Sequence, residues 1–388
     1  MAEGLFSRLE HSLAGGSGRW SLNLEGQDPR DFLFDLVKGL KGEEDGARKR
    51  IQNRHRYVGL GPTLAWLLVC RDPSYPVMYD SIEAFARLWD ACLPALGEGP
   101  FHYVSLGVGT GDKDRHILDR MHLRTTSPLY VPIDISGHML RLGAVEAVRR
   151  MPGRVLPVEM DFEDVAALPA LRQLLDDLFG DEPILFGLLG NSLGNVDDET
   201  AFLRGLTMLL RPQDRLAMEV AITRRLDSRA AKAAAEERSG SRSYNEFVTA
   251  ALSMYTDLTI DTNWLRFRGQ VDDGHAVRVE GHYVNCGDDP ITLMLPNRET
   301  IPFRPGESIQ VLLGRKYSPD GLRRMFASCQ LSELAFEEDM SHAAAPHAGR
   351  SADFGLAMVV LQHQPSAVPP VTPLRRVWDL PVQPTPQH

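Results

Sequence analysis

Residues 102–114 read HYVSLGVGTGDKD: a short apolar run, glycines at 107, 109 and 111, then charged residues. Tyr103–Leu106 has the length and apolarity of a buried strand, and the charged end opens a helix. A turn without Cβ atoms lets backbone N–H groups approach a bound molecule, and the helix N-terminus behind it favours negative groups. Taken alone, the pattern also fits a plain tight strand-to-helix turn. Its surroundings decide between the two.

Downstream, Leu129–Asp134 reads as a second strand, with Ser136 as the N-cap of a helix over Gly137–Arg150. Val155–Met160 is a third strand. Pro183–Leu189 is a fourth, almost wholly apolar, as a strand covered on both faces should be. A helix through Leu210 and a turn at Arg211–Asp214 lead to a fifth strand, Arg215–Ile222. Strands separated by helices predict right-handed crossovers and a parallel sheet, so the fold class is α/β and Rossmann-like. Upstream, helices are expected near Asp31–Leu40, Gly61–Leu68 and Ile82–Leu93, with a turn at 72–76 forced by Pro73 and Pro76.

After Ile222 the alternation stops. Thr223–Ser253 is alanine-rich and helical. Trp264–Val271, His275–Val284, Thr292–Leu295 and Ser308–Leu313 read as antiparallel strands separated by Asp, Gly and Pro turns. Ser318–Ala327 is helical again, and Leu331–Glu338 with Phe354–Gln362 can close the first sheet as a hairpin. From Pro365 the chain is proline-rich and aperiodic, an extended or disordered tail.

Composition narrows the function. The 388 residues are 43% hydrophobic and carry a formal net charge of −10, which disfavours a general nucleic-acid binder and suits a small-molecule substrate. Cys70, Cys92, Cys286 and Cys329 lie far apart, so neither a zinc site nor a disulfide framework is expected. No apolar run has membrane-spanning length, and the N-terminus has no signal-peptide pattern. A cytoplasmic protein without a membrane partner is expected.

Three further signals follow the glycines in order, each at a strand end. Asp134 can accept hydrogen bonds from ribose hydroxyls, and in Asp161-Phe162 a carboxylate can take an adenine amino group while the ring packs on its face. Singly, each also reads as a helix-capping aspartate or a core phenylalanine. The spacing is G-x-G-x-G rather than the dinucleotide G-x-G-x-x-G, and no Walker pattern is present. Together the residues favour S-adenosylmethionine over NAD(P) or ATP. Lys113 could reach the carboxylate of that cofactor's methionine end, or simply face solvent. In LLGNSLGN (188–195) a terminal asparagine can hold an amino or carboxyl group, although Gly and Asn also serve turns needing φ > 0. Transfer to a neutral amine asks chiefly for alignment, so no catalytic triad is expected. His102, His138, His275 and His282 are read as structural.

The series SLGVGTGDKD, YVPIDIS, MDFED, LLGNSLGN and FLRGLTMLLRPQDRL is similar to the histidine-specific Nα-methyltransferases of the ergothioneine-biosynthesis type. The resemblance spans about Tyr57 to Gln362. It implies a class I methyltransferase domain with a second α+β substrate-binding lobe. On that basis 1–98 and 226–313 belong to the lobe, 99–225 and 314–364 to the core, and 365–388 to the tail. By resemblance, Gly107, Gly109 and Lys113 belong to the cofactor loop, Asp134 to the ribose, and Asp161 with Phe162 to the adenine. Asn195 and Tyr75 fall on substrate-binding positions.

The departures are specific. A family tyrosine that binds the substrate carboxylate falls at Ala235, and an imidazole-reading Glu-x-Ser falls at Leu312-Leu313-Gly314. Leucine and glycine cannot hydrogen-bond an imidazole, and loss of such partners costs orders of magnitude in discrimination. An amine or amino acid other than histidine is therefore expected, acted on at nitrogen. The alternative is a cofactor-binding relative without transferase activity.

Overall fold

The computed structural model describes residues 22–23, 29–42, 48–73, 75, 81–122, 128–151, 153–340 and 353–364. The proline-rich tail and the Pro76 side of the 72–76 turn lie outside them. The strands in chain order are β1 (Leu22–Asn23), β2 (Lys49–Arg50), β3 (His102–Leu106), β4 (Tyr130–Asp134) and β5 (Val158–Glu159). Then come β6 (Ile184–Leu188), β7 (Arg215–Thr223), β8 (Leu265–Asp272), β9 (Ala276–Val284) and β10 (Ile291–Met294). The last four are β11 (Thr300–Phe303), β12 (Ser308–Tyr317), β13 (Leu331–Asp339) and β14 (Phe354–His363).

The central sheet runs β5-β4-β3-β6-β7 in parallel, and β14 then pairs antiparallel with β7 and β13 with β14. The chain leaves β3 for β4 on one side and later returns to β6 on the other. That reversal leaves a crevice at the carboxyl ends of β3 and β6, where open α/β sheets take their ligands. Period-two alternation builds a core on each face. Val104, Leu106, Ile184, Phe186, Leu216 and Met218 pack on one side with Leu171, Leu175 and Phe202. Tyr103, Tyr130, Leu185 and Ala217 pack on the other with Phe85, Trp89 and Ile117. The result is a three-layered α/β, Rossmann-like arrangement.

The expected helix Gly137–Arg150 is present, and the Ser136 hydroxyl accepts from the Met139 N–H at its start. Such a cap contributes about 1 kcal/mol. The third strand is shorter than expected. Only Val158 and Glu159 hold the ladder, while Val155 adds one bridge to Tyr130, because Pro157 between them has no N–H to donate. The helix expected to run through Leu210 is Glu199–Thr207, preceded by a 3-10 turn over Ser192–Asn195. Thr300–Phe303 is a strand the sequence pattern does not show: Pro302 in the middle of it hides a strand that pairs with β10.

The 223–317 region is two helices, Ser228–Ser239 and Arg242–Tyr255, followed by a meander. Asp273 and Gly274 both have positive φ, as the tight turn between β8 and β9 requires. β12 runs past 313 without a break to Tyr317, pairs along its length with β9, and at its end touches Ile222 of β7. One strand therefore joins the meander to the central sheet. A separate apolar cluster joins Leu36, Leu40, Val69, Phe247, Leu252, Tyr283 and Phe303, tying the N-terminal helices to the meander.

Candidate active site

The crevice holds a cavity of about 500 Å³, lined by the 107–114 turn, Asp134, Asp161, Phe162, Glu163, Trp66 and Asn195. Gly107, Gly109 and Gly111 have φ of 81°, 54° and 74°. A Cβ on Gly107 would meet the Phe162 ring at 3.3 Å, and one on Gly111 would lie 2.4 Å from the Gly143 carbonyl oxygen. Both positions need glycine for conformation and for space. The closest approach at Gly111 is to the protein's own helix, so only part of the glycine pattern serves a ligand.

Asp134 ends β4 buried. Its Oδ2 accepts from Gly109 N at 3.2 Å and its Oδ1 from Ser136 N at 2.9 Å, which leaves lone pairs for further donors. Burial raises its pKa to about 6, opposed by those two bonds. Asp161 accepts from Glu163 N at 3.0 Å and from Arg54 Nη1 at 3.1 Å. Burial raises its pKa as well, against the nearby Arg54. Asn53 Nδ2 donates to Glu163 at 2.7 Å, and burial, then the charge of Asp161, brings Glu163 to about 7. Residues 53–56 thus form a strap from the N-terminal region across the cavity, anchored on acids of the central domain.

Lys113 lines the cavity, and its ammonium is bound by Glu219 at 2.8 and 2.6 Å. Glu219 is almost fully buried in β7 and also accepts from Gly190 N at 2.7 Å. Breaking such a pair from one side leaves a buried charge, at a cost of about 3–5 kcal/mol. The signal for Glu219 was in the sequence: it is the one carboxylate inside the apolar strand RLAMEVAIT.

The two asparagines of LLGNSLGN both border the smaller recess but are bonded differently. Asn191 has φ 62°, donates to the Arg315 carbonyl at 3.1 Å and accepts from Ala221 N at 2.9 Å, so it belongs to the turn. Asn195 lines the cavity. Its loop is clamped by β12: Arg315 Nη1 donates to the Val196 carbonyl at 2.6 Å and the Tyr317 hydroxyl to that of Leu193 at 3.1 Å.

A smaller recess of about 70 Å³ adjoins the first and shares Tyr57, Trp66, Lys113, Gly190 and Asn195 with it. Tyr75 lies here, buried and stacked on Tyr244 at 4.8 Å between ring centroids. Tyr57, Trp66 and Phe247 form an aromatic wall with centroids 4.9 to 5.7 Å apart. Burial pushes the Tyr57 phenol up to about 12, so it stays a hydrogen-bond donor at any working pH. Leu312 and Lys316 also line this recess, and a Cβ on Gly314 would point between Arg238 Nη2 (3.7 Å) and Asn195 Oδ1 (3.8 Å). Ala235 lies elsewhere, packed with Val277, Val279 and Phe354. All eight sequence-derived site residues therefore border one of two joined cavities. Tyr57, Trp66, Arg54, Glu219 and Arg238 were not anticipated, because each reaches the site from a separate part of the chain.

A parallel sheet of this order, with a glycine turn and buried acids at successive carboxyl ends, defines a class I S-adenosylmethionine-dependent methyltransferase. The family described as histidine-specific, S-adenosylmethionine-dependent methyltransferases matches residues 33–348, and the chain belongs to it. Comparison with the curated proteins finds no match. Among solved structures, the chain is similar to a duf574 family protein from Streptomyces avermitilis, at 14% identity and TM-score 0.42, covering 78% of this chain and 90% of that one. It is also similar to an S-adenosylmethionine-dependent methyltransferase from Clostridium acetobutylicum, at 11% identity and TM-score 0.38, over 72% and 91% of the two chains. A third is the 1,6-didemethyltoxoflavin-N1-methyltransferase from Burkholderia thailandensis, at 10% identity and TM-score 0.36, over 81% and 92%. No helix of the described residues is long and apolar enough to cross a membrane.

Proposed function

We propose that the protein methylates a small-molecule amine or amino acid other than histidine, at nitrogen, in the cytoplasm. The observation that carries this reading is the contact between two chemically different cavities at Asn195. Residues of the larger one fit the cofactor. Gly107 and Gly109 cradle it, Asp134 accepts from its ribose hydroxyls, and Asp161 with Phe162 receives its adenine. Lys113, fixed by Glu219, offers its ammonium to the cofactor's carboxylate at the border of the two cavities. Bound there, S-adenosylmethionine supplies an electrophilic methyl group.

The smaller recess receives the acceptor. Asn195 and Tyr75 line it, and the aromatic wall of Tyr57, Trp66 and Phe247 excludes water from the amine. No general base is required if the amine enters neutral, since alignment then dominates. Leu312 borders the recess, and Gly314 lies behind its Arg238 and Asn195, neither with a hydrogen-bonding side chain, which is the reason to set histidine aside. The core and substrate-lobe boundaries given above remain part of this proposal.

Calorimetry with S-adenosylhomocysteine, followed by a mass-spectrometric screen of amines for methylated product, tests the reading. Cofactor binding and a gain of one or more methyl masses on a non-histidine amine are expected. Absence of cofactor binding, or turnover of histidine above all other amines, would falsify it.

A further inference from the structure

The Leu60–Cys70 helix, LGPTLAWLLVC, carries no charged residue on any face. Its inner face packs Val69, Ala65 and Trp66 into the cluster shared with the meander. Leu60, Leu64 and Leu68, at i, i+4 and i+8, point outward and are 57%, 51% and 60% exposed. The Ser81–Cys92 helix has the same spacing on its outer face but fills it with Glu83, Arg87 and Asp90. A solvent face normally carries charge, and a helix apolar all round belongs under a cover. The Gly137–Arg150 helix extends the patch with Leu142 and Val145, 40% and 46% exposed. The starts of the two helices meet at Thr63 and Ser136, whose hydroxyl oxygens lie 3.5 Å apart. Leu67, Leu142 and Val145 also line the larger cavity, so the patch borders its open side. Four leucines and a valine exposed together mark a docking surface, where single exposed apolar residues would not.

The chain itself holds a matching piece. Residues 4–13 read GLFSRLEHSL, with Leu5, Leu9 and Leu13 at i, i+4 and i+8 and Phe6 beside them. On a helical projection Ser7, Arg8, Glu10 and His11 fall on the other side. A helix of about ten residues is marginal in water, so such a segment needs an apolar surface to fold on. Ridges of i, i+4 side chains set into one another are the commonest way two helices pack. Position agrees with pattern. Residues 14–21, AGGSGRWS, join the segment to β1, whose Leu22 pairs in parallel with Val158 of β5. The Gly137–Arg150 helix packs on β4 and β5, beside that edge of the sheet. It is about 21 Å long, and residues 14–21 extend to about 27 Å. The patch is within reach of the segment.

We propose that residues 4–13 dock as an amphipathic helix on the apolar face formed by Leu60, Leu64, Leu68, Leu142 and Val145, walling the open side of the larger cavity. The docking is intramolecular. Its contacts are leucine against leucine, with Arg8 and Glu10 left in water. The strap at 53–56 is anchored by ion pairs and hydrogen bonds to acids of the cavity, whereas this cover is held by burial alone. It can therefore be removed without touching any of those acids, and the inference does not depend on which acceptor is methylated.

Hydrogen–deuterium exchange of the full chain, read by mass spectrometry, tests this. Amides of residues 4–13 should exchange at least about tenfold more slowly than an unstructured peptide of the same sequence. Leu64→Glu on one helix and Val145→Glu on the other should each remove that protection. Both side chains are already about half exposed, so the fold itself should persist. Leu9→Glu alters neither helix of the patch, and it should remove the protection while speeding exchange at 60–70 and 137–150 about threefold. Free exchange of residues 4–13 in the wild type overturns the proposal, whether a second copy (by light scattering) or phosphatidylcholine vesicles (by co-sedimentation) then take the patch or not. Protection that rises with protein concentration overturns it too, since the segment would then dock on a second copy. So does protection that survives both Leu64→Glu and Val145→Glu, or a Leu9→Glu variant in which exchange at 60–70 and 137–150 is unchanged.

Discussion

The two cavities meet at Asn195 and Tyr57 yet are built by different means. The floor of the larger is made of backbone, a glycine turn at the end of β3 and acids at the ends of β4 and β5 held by main-chain N–H groups, with the 53–56 strap and Trp66 across it. Its ionisable side chains at those strand ends are acidic. The smaller is made of side chains brought from 56–75, 238–247 and 312–316, and its excess charge is positive. A ligand site built from one sheet edge tolerates little change, because each atom belongs to the fold. One assembled from helices and a meander can change single side chains without disturbing the sheet. Family membership and the proposed change of acceptor are compatible for that reason.

The largest effect should come from the backbone side. Gly111→Ala places a Cβ 2.4 Å from the Gly143 carbonyl at φ 74°, so the turn and the Gly137–Arg150 helix must move apart. A loss of about 3 kcal/mol or more in denaturant unfolding is expected. Unfolding unchanged within experimental error would show that the loop gives way more easily than a fold-built site should.

Next comes Asp134. Asp134→Asn should weaken S-adenosylhomocysteine about tenfold, through loss of charge-assisted bonds to the ribose. The pH dependence sharpens this. Burial raises the Asp134 pKa to about 6, so the folded state favours its protonated form and stability gains slightly as pH falls from 7 towards 4. Holding ribose hydroxyls favours the ionised form, so cofactor affinity should fall below pH 6 by up to about tenfold per unit. Glu163 titrates near 7 in the same cavity and adds its own step. The step near 6 should vanish in Asp134→Asn while the one near 7 persists. If the wild type and Asp134→Asn follow one curve, Asp134 does not hold the cofactor.

The smallest effect on the cofactor should come from the boundary. Asn195→Ala is expected to change S-adenosylhomocysteine affinity by no more than about twofold, while an amine acceptor found in the screen binds about tenfold more weakly. Equal losses for both ligands would merge the two cavities into one site and end the distinction.

Periodicity made the central sheet legible. Tyr103–Leu106, Asp134, Pro183–Leu189 and Arg215–Ile222 fell where β3, β4, β6 and β7 lie, because a covered parallel strand must be apolar and must end in a turn. Where the backbone rule was local, the reading failed locally: Pro157 shortened β5, and Pro302 hid β11. The role of each asparagine in LLGNSLGN could not be read, since both suit a turn and only φ and contacts separate Asn191 from Asn195. Lys113 was foreseen, but its partner Glu219 lies 106 positions away.

The sequence by itself determined the glycine turn, the order of strands and the acids at their ends, because these depend on neighbours within a few residues. Only the tertiary structure decided that Tyr57, Tyr75, Arg238 and Leu312 share one recess, that Gly111 serves helix packing, and that Arg238 and Asn195 both approach Gly314. Contacts between distant segments follow from how β12 crosses from the meander to β7, and that crossing leaves no periodic mark in the chain.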